Sequence, residues 1–485
     1  MDATLAALNR FGLGARRDER RRITDGRGWL RAQLDGGPSV VRLPEGVTPT
    51  VIGDAIRGLR MAGQGDEQAR REARRKLVEL AQTEAAAALA ERVTSDRPFV
   101  ERLVAFWSNH LCVSAGKAQV APQAGSYERD VIRPHVLGRF EDMVMASARH
   151  PAMLSYLDNA QSVGPGSRGA RAGQGNGQGN GQGNTIRRRG LNENYARELL
   201  ELHTLGVNGG YTQQDVQELA KVLTGWTVSG AGGPGDRVAQ MATDPRARRR
   251  ALLGQRQAAR DVADGPIAFA FQALLHEPGT KTVLGERYAE AGVEEGERAI
   301  RALCRHASTA RFVASKLVTH FVSDEPPAAA VDRVAKAFSS SGGDLKVVAR
   351  ALVDEPEAWS DTARKFRTPQ EWFIAVMRGL GVRDVRPNTQ NVLRQLRQPL
   401  WSPPSPKGFG DTLQEWADPD SLLNRGELAR TISRLPAAGA LDPQALLDLV
   451  DVPAGDPLHA VLADTSIRPA DRVALAIAGP AFQWR

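Results

Sequence analysis

Residues 191–227 carry the pattern that decides the fold class, and they read LNENYARELLELHTLGVNGGYTQQDVQELAKVLTGWT. The spacing predicts a helix over 192–205 that stops at a glycine, the usual residue after a helix C-terminus. Thr212 and Asp215 have the spacing of a capping box, which predicts that a second helix starts there and ends near Trp226. Two helices joined by a glycine-rich turn, with no strand between them, indicate a helical fold.

The chain on either side continues this succession of helices. From Asp66 to Arg92 it is charged and rich in Ala, which predicts a long exposed helix. Further helices are predicted at about 291–307, 309–322, 329–340, 344–354, 368–380 and 388–397. The alternation AFAF at 268–271 is the strand candidate. The predicted class is therefore all-α, a large multi-helix array with at most one short β-hairpin near 268–284.

Glycine-rich segments divide the chain. Residues 228–262 are rich in Gly, Arg and Asp, which predicts a linker between an N-terminal helical region, 1–227, and a C-terminal one, 263–485, that packs on the first. The tract GPGSRGARAGQGNGQGNGQGN at 164–184 has almost no apolar residues, so we expect a surface loop. The tract is either a lid or an idle insertion.

Composition excludes several classes of protein. The 485 residues include 64 Lys and Arg against 56 Asp and Glu, for a net charge of +8. The basic residues are interleaved with acidic ones and are not gathered into a stripe, so no nucleic acid partner is expected. Cys112 and Cys304 are too few for a disulfide framework or a cysteine-based zinc site. No apolar run is long enough to predict a transmembrane segment.

The densest polar segment is the first helix of 191–227. Asn194, Glu198 and Glu201 share one helical face, and Arg197 lies four residues before Glu201, where an ion pair is favourable. Two carboxylates one turn apart can ligate a hard cation, or act as general acid and general base. The alternative is that both carboxylates pair with arginines on a solvated or interhelical face. His203 is more typical of a helix C-terminus than of a ligand.

Two other places bring polar groups to the end of an apolar segment. Asn109 and His110 end the helix that begins near Pro98, where they are predicted to orient a substrate or ligate a metal; the alternative is that His110 is a buried, hydrogen-bonded histidine at the helix end. His276 opens the turn HEPGTK, which ends at Lys281. Asp158 and Asn192 complete the polar candidates. Motifs for serine hydrolases, nucleotide-binding loops and zincins do not occur in the sequence.

Six blocks of the sequence resemble the bacterial domain-of-unknown-function 1800 family. They are FWSNHLCVS (106–114), YERDVIRPHVLGRFEDMVMASARHPAMLSYLDN (127–159), LNENYARELLELHTLGVNGGYTQQDVQELAKVLTGWT (191–227), FAFQALLHEPGTKTVLG (269–285), STARFVASKLVTHFVSD (308–324) and QPLWSPPSPKGFG (398–410). The motif residues that match are Asn109, His110, Asn192, Glu193, Asn194, Arg197, Glu198, Glu201, Gly225, Trp226, His276 and Lys281. Cys112 stands where the family more often has Thr or Ala, and Phe409 where Trp is usual, so a special role for either position is in doubt.

The resemblance implies a helical protein with no assigned activity. It also implies a partner, because such proteins are commonly encoded beside phosphatase-like or sulfatase-like proteins that carry a twin-arginine export signal. A chain exported with that partner would need no signal of its own. The location is therefore left open between the cytoplasm and the periplasm.

The leading functional hypothesis is a hydrolase-like enzyme with a carboxylate and histidine site. Glu198, Glu201, His110 and Arg197 are its predicted catalytic residues. Predicted binding residues are Asn109, Asn192, Asn194, Asp158 and Lys281. A divalent metal ion, the one cofactor considered, would be held by His110, Glu198, Glu201 and His276. The alternative is a non-catalytic helical scaffold, or an assembly partner of an exported phosphatase-like or sulfatase-like protein.

Overall fold

The computed structural model describes residues 2–61, 67–174, 190–229, 267–360, 363–386 and 389–485. The predicted surface loop at 164–184 lies outside the described residues from 175 onward. The predicted linker at 228–262 lies outside them from 230 onward.

Helices dominate the described ranges, which confirms the predicted class. The longer α-helices, labelled α1 to α13 in chain order, are Gly26–Leu34, Pro49–Met61, Glu67–Thr94, Pro98–His110, Phe140–Arg149, Gln213–Val222, Val293–Arg305, Ala307–Phe321, Ala328–Ser340, Leu345–Asp354, Pro369–Leu380, Pro419–Ile432 and Pro469–Ala478. Their starts follow local rules, because Thr212 caps α6 and Thr368 caps α11, each in a capping box with the acidic residue three positions on.

Shorter helical segments connect the long ones. The α-helical segments are Ala3–Ala6, Glu19–Arg22, Ala124–Tyr127, Pro151–Tyr156, Arg168–Gln174, Asn194–Glu198, Thr389–Gln395, Leu413–Trp416, Pro436–Gly439, Leu458–Ala463 and Pro480–Gln483. The π-helical turns are Ala7–Phe11, Glu128–Ile132 and Leu199–His203. The 3-10 turns are Ala121–Gln123, Arg133–His135, Asn159–Gln161, Pro356–Trp359 and Pro443–Asp448.

The described ranges contain two small antiparallel sheets. Strand β1, Trp226–Ser229, pairs with β2, Ala268–Phe271, and Trp226 lies opposite Phe271. Strands β3, Lys281–Val283, and β4, Glu286–Tyr288, form a tight hairpin. The predicted strand at 268–271 is confirmed, but its partner is the segment after α6 rather than the following residues, and the hairpin lies at 281–288.

Two large apolar clusters form the core. The first gathers side chains from α4, α5, α7, α8, α9 and α10. The second gathers side chains from α11, α12, α13 and the later part of α3. The prediction of an exposed α3 is therefore wrong for its second half, where Ala85, Leu89 and Val93 are buried. Trp401 packs against both clusters, so the proline-rich segment 399–410, to which it belongs, lies where they meet.

None of the helices in the described ranges has both the length and the apolar character that crossing a bilayer requires.

Candidate functional site

The predicted catalytic helix is shorter and less regular than its sequence indicates. It is α-helical over Asn194–Glu198 and continues as the π-turn Leu199–His203. Arg197 pairs with Glu193, at 3.2 Å between Nη2 and Oε2, rather than with Glu201 as predicted. Glu201 instead accepts a hydrogen bond from the Tyr211 hydroxyl at 3.2 Å. Arg197 and Glu201 therefore do not form the predicted ion pair, because each contacts a residue outside the segment 194–203.

Glu198 and Glu201 nevertheless influence each other. Burial raises the pKa of the Glu198 carboxyl, and the negative charge of Glu201 raises it further, while Arg197 opposes both effects. The two carboxyl groups are therefore close enough for their charges to interact, as the predicted acid and base roles require.

The predicted binding residues Asn192, Asn194 and Asp158 organise the main chain. The Asn192 side chain accepts a hydrogen bond from the Asn194 backbone N–H at 2.8 Å and donates one to the Asp158 carbonyl at 3.1 Å. The Asp158 carboxylate pairs with Lys117 at 2.7 Å. The polar groups of this cluster are therefore largely occupied within the protein.

His110 is buried among aromatic rings at the end of α4. Its Nε2 lies 3.1 Å from the carbonyl oxygen of His203, so that nitrogen carries the proton, and its Nδ1 has no hydrogen-bond partner among the described residues. Burial lowers the pKa of His110 to about 3, with the Lys316 charge adding to the effect. His203, predicted to lie at a helix terminus, is also buried, and burial lowers its pKa to about 4.

His276 and Lys281 lie in a separate buried cluster, and one of its members was not predicted from the sequence. The third member is Glu295, whose Oε2 is 3.3 Å from His276 Nε2 and whose Oε1 is 2.9 Å from Lys281 Nζ. The other ring nitrogen of His276 is 2.8 Å from the Thr224 carbonyl oxygen. These contacts join β3 to α7 and to the end of α6.

The structure does not assemble the predicted metal site. Among the described residues, which include His110, Glu198, Glu201 and His276, no three His, Cys, Asp or Glu side chains could hold a metal ion together. The physical reason is that His276 is held by Glu295 and Thr224, while His110 faces the carbonyl of His203.

A cavity of about 240 Å³ lies where the two apolar clusters meet. Its wall comes from the end of α4, the second half of α8, the start of α11 and the proline-rich segment after Gln398. Of the predicted site residues, Asn109 and His110 line it and the others do not. Asn109 fixes that segment, because its side chain donates to the Phe409 carbonyl and accepts from the Phe409 N–H, each at 2.8 Å.

The cavity wall holds a histidine between two carboxylates. His320 Nδ1 is 2.7 Å from Asp411 Oδ2, and His320 Nε2 is 3.9 Å from Glu371 Oε1. That Nε2 is buried without a hydrogen-bond partner among the described residues. Glu371 pairs with Arg102 and, at 3.1 Å, with Arg485. The histidine is thus oriented by one carboxylate and lies close to another.

Charge and burial set the protonation states of His320, Glu371 and Asp411. Burial raises the pKa of Glu371, but Arg102 and Arg485 outweigh it and bring that pKa to about 2. Burial likewise raises the pKa of Asp411, but the contacts with His320 and Lys365 hold it well below its usual range. Burial lowers the pKa of His320, against the opposing effect of Asp411. Near neutral pH both carboxylates are ionised, and the lowered pKa of His320 favours the neutral imidazole.

His320, Glu371 and Asp411 were not predicted from the sequence, although one quoted block contains His320 and another ends just before Asp411. The block STARFVASKLVTHFVSD at 308–324 contains Lys316 and His320 four residues apart, and on α8 that spacing turns both toward the cavity. A basic pair at helical spacing, beside the apolar residues Leu317, Val318 and Phe321, was the available signal. Glu371 and Asp411 carry no such signal, because their charged partners come from distant parts of the sequence.

The comparisons with known proteins identify a family and nothing more specific. A family model described as "Protein of unknown function (DUF1800)" matches residues 6–484, nearly the whole chain. No curated protein and no solved structure shows significant similarity to the chain.

Proposed function

The chain belongs to the DUF1800 family, and we propose that it is a hydrolase whose reacting groups line the cavity between its two apolar clusters. The observation that carries the proposal is the His320 imidazole. It is held at Nδ1 by Asp411, its Nε2 is free of any hydrogen bond among the described residues, and the residue lines the cavity.

The Asp411 contact determines which nitrogen can act as a base. Because an ionised carboxylate only accepts hydrogen bonds, Nδ1 carries the proton and donates it to Asp411 Oδ2. Nε2 of the neutral ring then has a free electron pair. A histidine oriented through its other nitrogen by a carboxylate is the usual arrangement of a general base.

The proposed reaction is attack of water on an ester. As the water oxygen bonds to the electrophilic centre, one of its protons passes to His320 Nε2, and the ring becomes an imidazolium. The bond from that centre to the leaving oxygen then breaks, and the imidazolium returns the proton to the leaving group. Glu371, held ionised by Arg102, lies close enough to stabilise the transient positive charge.

This proposal keeps the predicted chemistry and changes the residues. The sequence hypothesis was a carboxylate and histidine hydrolase centred on Glu198, Glu201 and His110. In the proposed site His110 is part of the cavity wall, and the base is His320. Metal assistance is not part of the proposal, because no group of ligands among the described residues supports it.

The test uses three simple esters: p-nitrophenyl acetate, p-nitrophenyl phosphate and p-nitrophenyl sulfate. We expect the wild-type protein to hydrolyse at least one of them, and His320→Asn to lower kcat by about 10² to 10⁴, the usual contribution of a general base. The matched control is His306→Asn, at the exposed start of the same helix, where His306 caps through Ser308 and Asn also caps well. Its kcat should stay within about twofold of wild type. Equal activity of wild type and His320→Asn, or no hydrolysis by wild type, would refute the proposal.

A non-catalytic scaffold is the second candidate, and the buried ion pairs favour it. Arg133 pairs with Glu101 at 2.8 Å and with Glu128 at 2.9 Å, and all three side chains are almost fully buried. Such a network fixes helix packing without any reaction. This candidate predicts that no ester is hydrolysed and that His320→Asn lowers the melting temperature instead.

A further inference from the structure

We propose that the cavity recognises its substrate through an oxyanion, a phosphate, sulfate or carboxylate group, held by the Lys316 ammonium beside His320. This inference rests on the proposed hydrolase function and names the class of substrate that the function would act on.

The first step is the charge balance of the cavity wall. Each acidic side chain there has a partner: Glu371 has Arg102, Asp411 has His320, and Glu415 accepts hydrogen bonds from Thr412. Lys316, by contrast, makes no ion pair or hydrogen bond with any described residue. The wall therefore presents a cation that no described carboxylate contacts directly.

The second step is the partial burial of that cation. Burial lowers the pKa of the Lys316 ammonium, with Asp411 opposing and Lys407 adding to the effect. Cys112 and Glu415 act on it more weakly, and both favour the charged form. Because Lys316 is partly buried and has no close ionic partner among the described residues, an oxyanion that entered the cavity would gain a charge-assisted hydrogen bond from it.

The third step is the position of the cation relative to the base. Lys316 and His320 are one turn apart on α8, so their Cβ atoms are separated by about 5 to 6 Å. Lys407, on the proline-rich segment opposite, also lines the cavity. An oxyanion held by these ammonium groups would therefore occupy the same cavity as His320, where the proposed reaction takes place.

The fourth step is the size of the cavity. A volume of about 240 Å³ is below the range of about 300 to 1,000 Å³ that is typical of sites for drug-sized ligands. The cavity therefore fits a small anionic ester, or the anionic end of a longer molecule.

The test is isothermal titration calorimetry with inorganic phosphate, sulfate and acetate, at low ionic strength because charge attraction is screened by salt. We expect the wild-type protein to bind at least one of them, and Lys316→Met to weaken that binding at least tenfold. Lys316→Arg keeps the positive charge and should retain affinity within about threefold. The matched control is Lys336→Met, at an exposed position of α9, which should not change the affinity. The inference is overturned if wild type binds none of the three anions, or if Lys316→Met binds as tightly as wild type.

His320→Asn separates this inference from the proposed function. It should lose ester hydrolysis but retain anion affinity within about threefold, because Lys316 is unchanged. If anion binding proves independent of Lys316 while hydrolysis depends on His320, the oxyanion inference fails and the hydrolase proposal stands. If binding depends on Lys316 but no ester is hydrolysed, the hydrolase proposal fails and the cavity remains an anion-binding site. Thermal melts of each variant distinguish loss of binding from loss of folding.

Discussion

Replacing Glu128 with Gln should reveal how strongly the buried ion pairs stabilise this fold. Glu128 accepts hydrogen bonds from Arg92 at 2.6 Å, Arg133 at 2.9 Å, Ser108 at 2.9 Å and the Trp401 indole N–H at 2.8 Å. An amide has a single acceptor oxygen and no charge. Gln therefore leaves a buried guanidinium without its counter-ion, which is the costly way to break a buried pair.

The magnitude follows from the pKa of Glu128. Burial raises it, but Arg92 and Arg133 outweigh burial and bring it from 4.5 to about 2. At about 1.4 kcal/mol per pKa unit, this shift corresponds to about 3 kcal/mol of folding free energy at neutral pH. At about 2.1 cal/mol/K of unfolding entropy per residue, a 485-residue chain that unfolds as one unit has about 1 kcal/mol/K. We therefore expect the melting temperature to fall by about 3 °C.

The depressed pKa of Glu128 also fixes the direction in which the stability of the protein changes with pH. Because the folded pKa is depressed, the stabilisation is fully present above pH 4.5 and is lost as the pH falls toward 2. Differential scanning calorimetry at pH 7, 4.5 and 3.5 should show that the difference in unfolding free energy between Glu128→Gln and wild type shrinks by about 1 kcal/mol between pH 4.5 and pH 3.5. The control, Glu67→Gln, removes the exposed pair with Arg71 and should cost under about 0.5 kcal/mol. A gap that is absent at pH 7, or that does not change with pH, would contradict the reasoning.

Three further predictions concern the site and the core. Asp411→Asn should lower kcat for ester hydrolysis about 10²-fold or more, because the amide no longer fixes the tautomer of His320, and unchanged activity would contradict this role. Cys112 should resist alkylation by iodoacetamide at pH 8 in the native protein and react once it is unfolded, because burial raises its pKa to about 12; rapid labelling in the native state would disprove it. Gly296→Ala should destabilise the protein by about 1 to 3 kcal/mol, measured by urea denaturation, since a Cβ there would lie 2.6 Å from the Trp226 ring; a neutral effect would show that the ring can shift.

The local elements could be predicted because their causes are local. The capping box at Thr212 and Asp215 formed as its spacing indicated, since side chain and backbone are three residues apart. The helices predicted between 291 and 397 lie within a few residues of those in the structure, because apolar periodicity reports directly which face is buried. The strand at 268–271 was also predicted, but its partner at 226–229 was not, because pairing depends on a contact between distant segments.

The candidate site could be predicted only in part. His110 and Asn109 were found because they end an apolar helix, whereas the emphasis on Glu198 and Glu201 came from the density of polar residues along the chain. The π-turn Leu199–His203 shows the limit of this reasoning, because one extra residue per turn changes which side chains share a face.

The sequence by itself determined that this protein is helical, where most of its helices begin, and which family it belongs to, since these follow from short-range patterns. Only the tertiary structure decided which polar residues meet. His320 and Asp411 are 91 residues apart in the chain and 2.7 Å apart in the fold. The packing of α8 against the proline-rich segment creates that contact, and no local signal encodes it. The helix that the sequence marked most strongly, 194–203, supplies none of the residues that line the cavity.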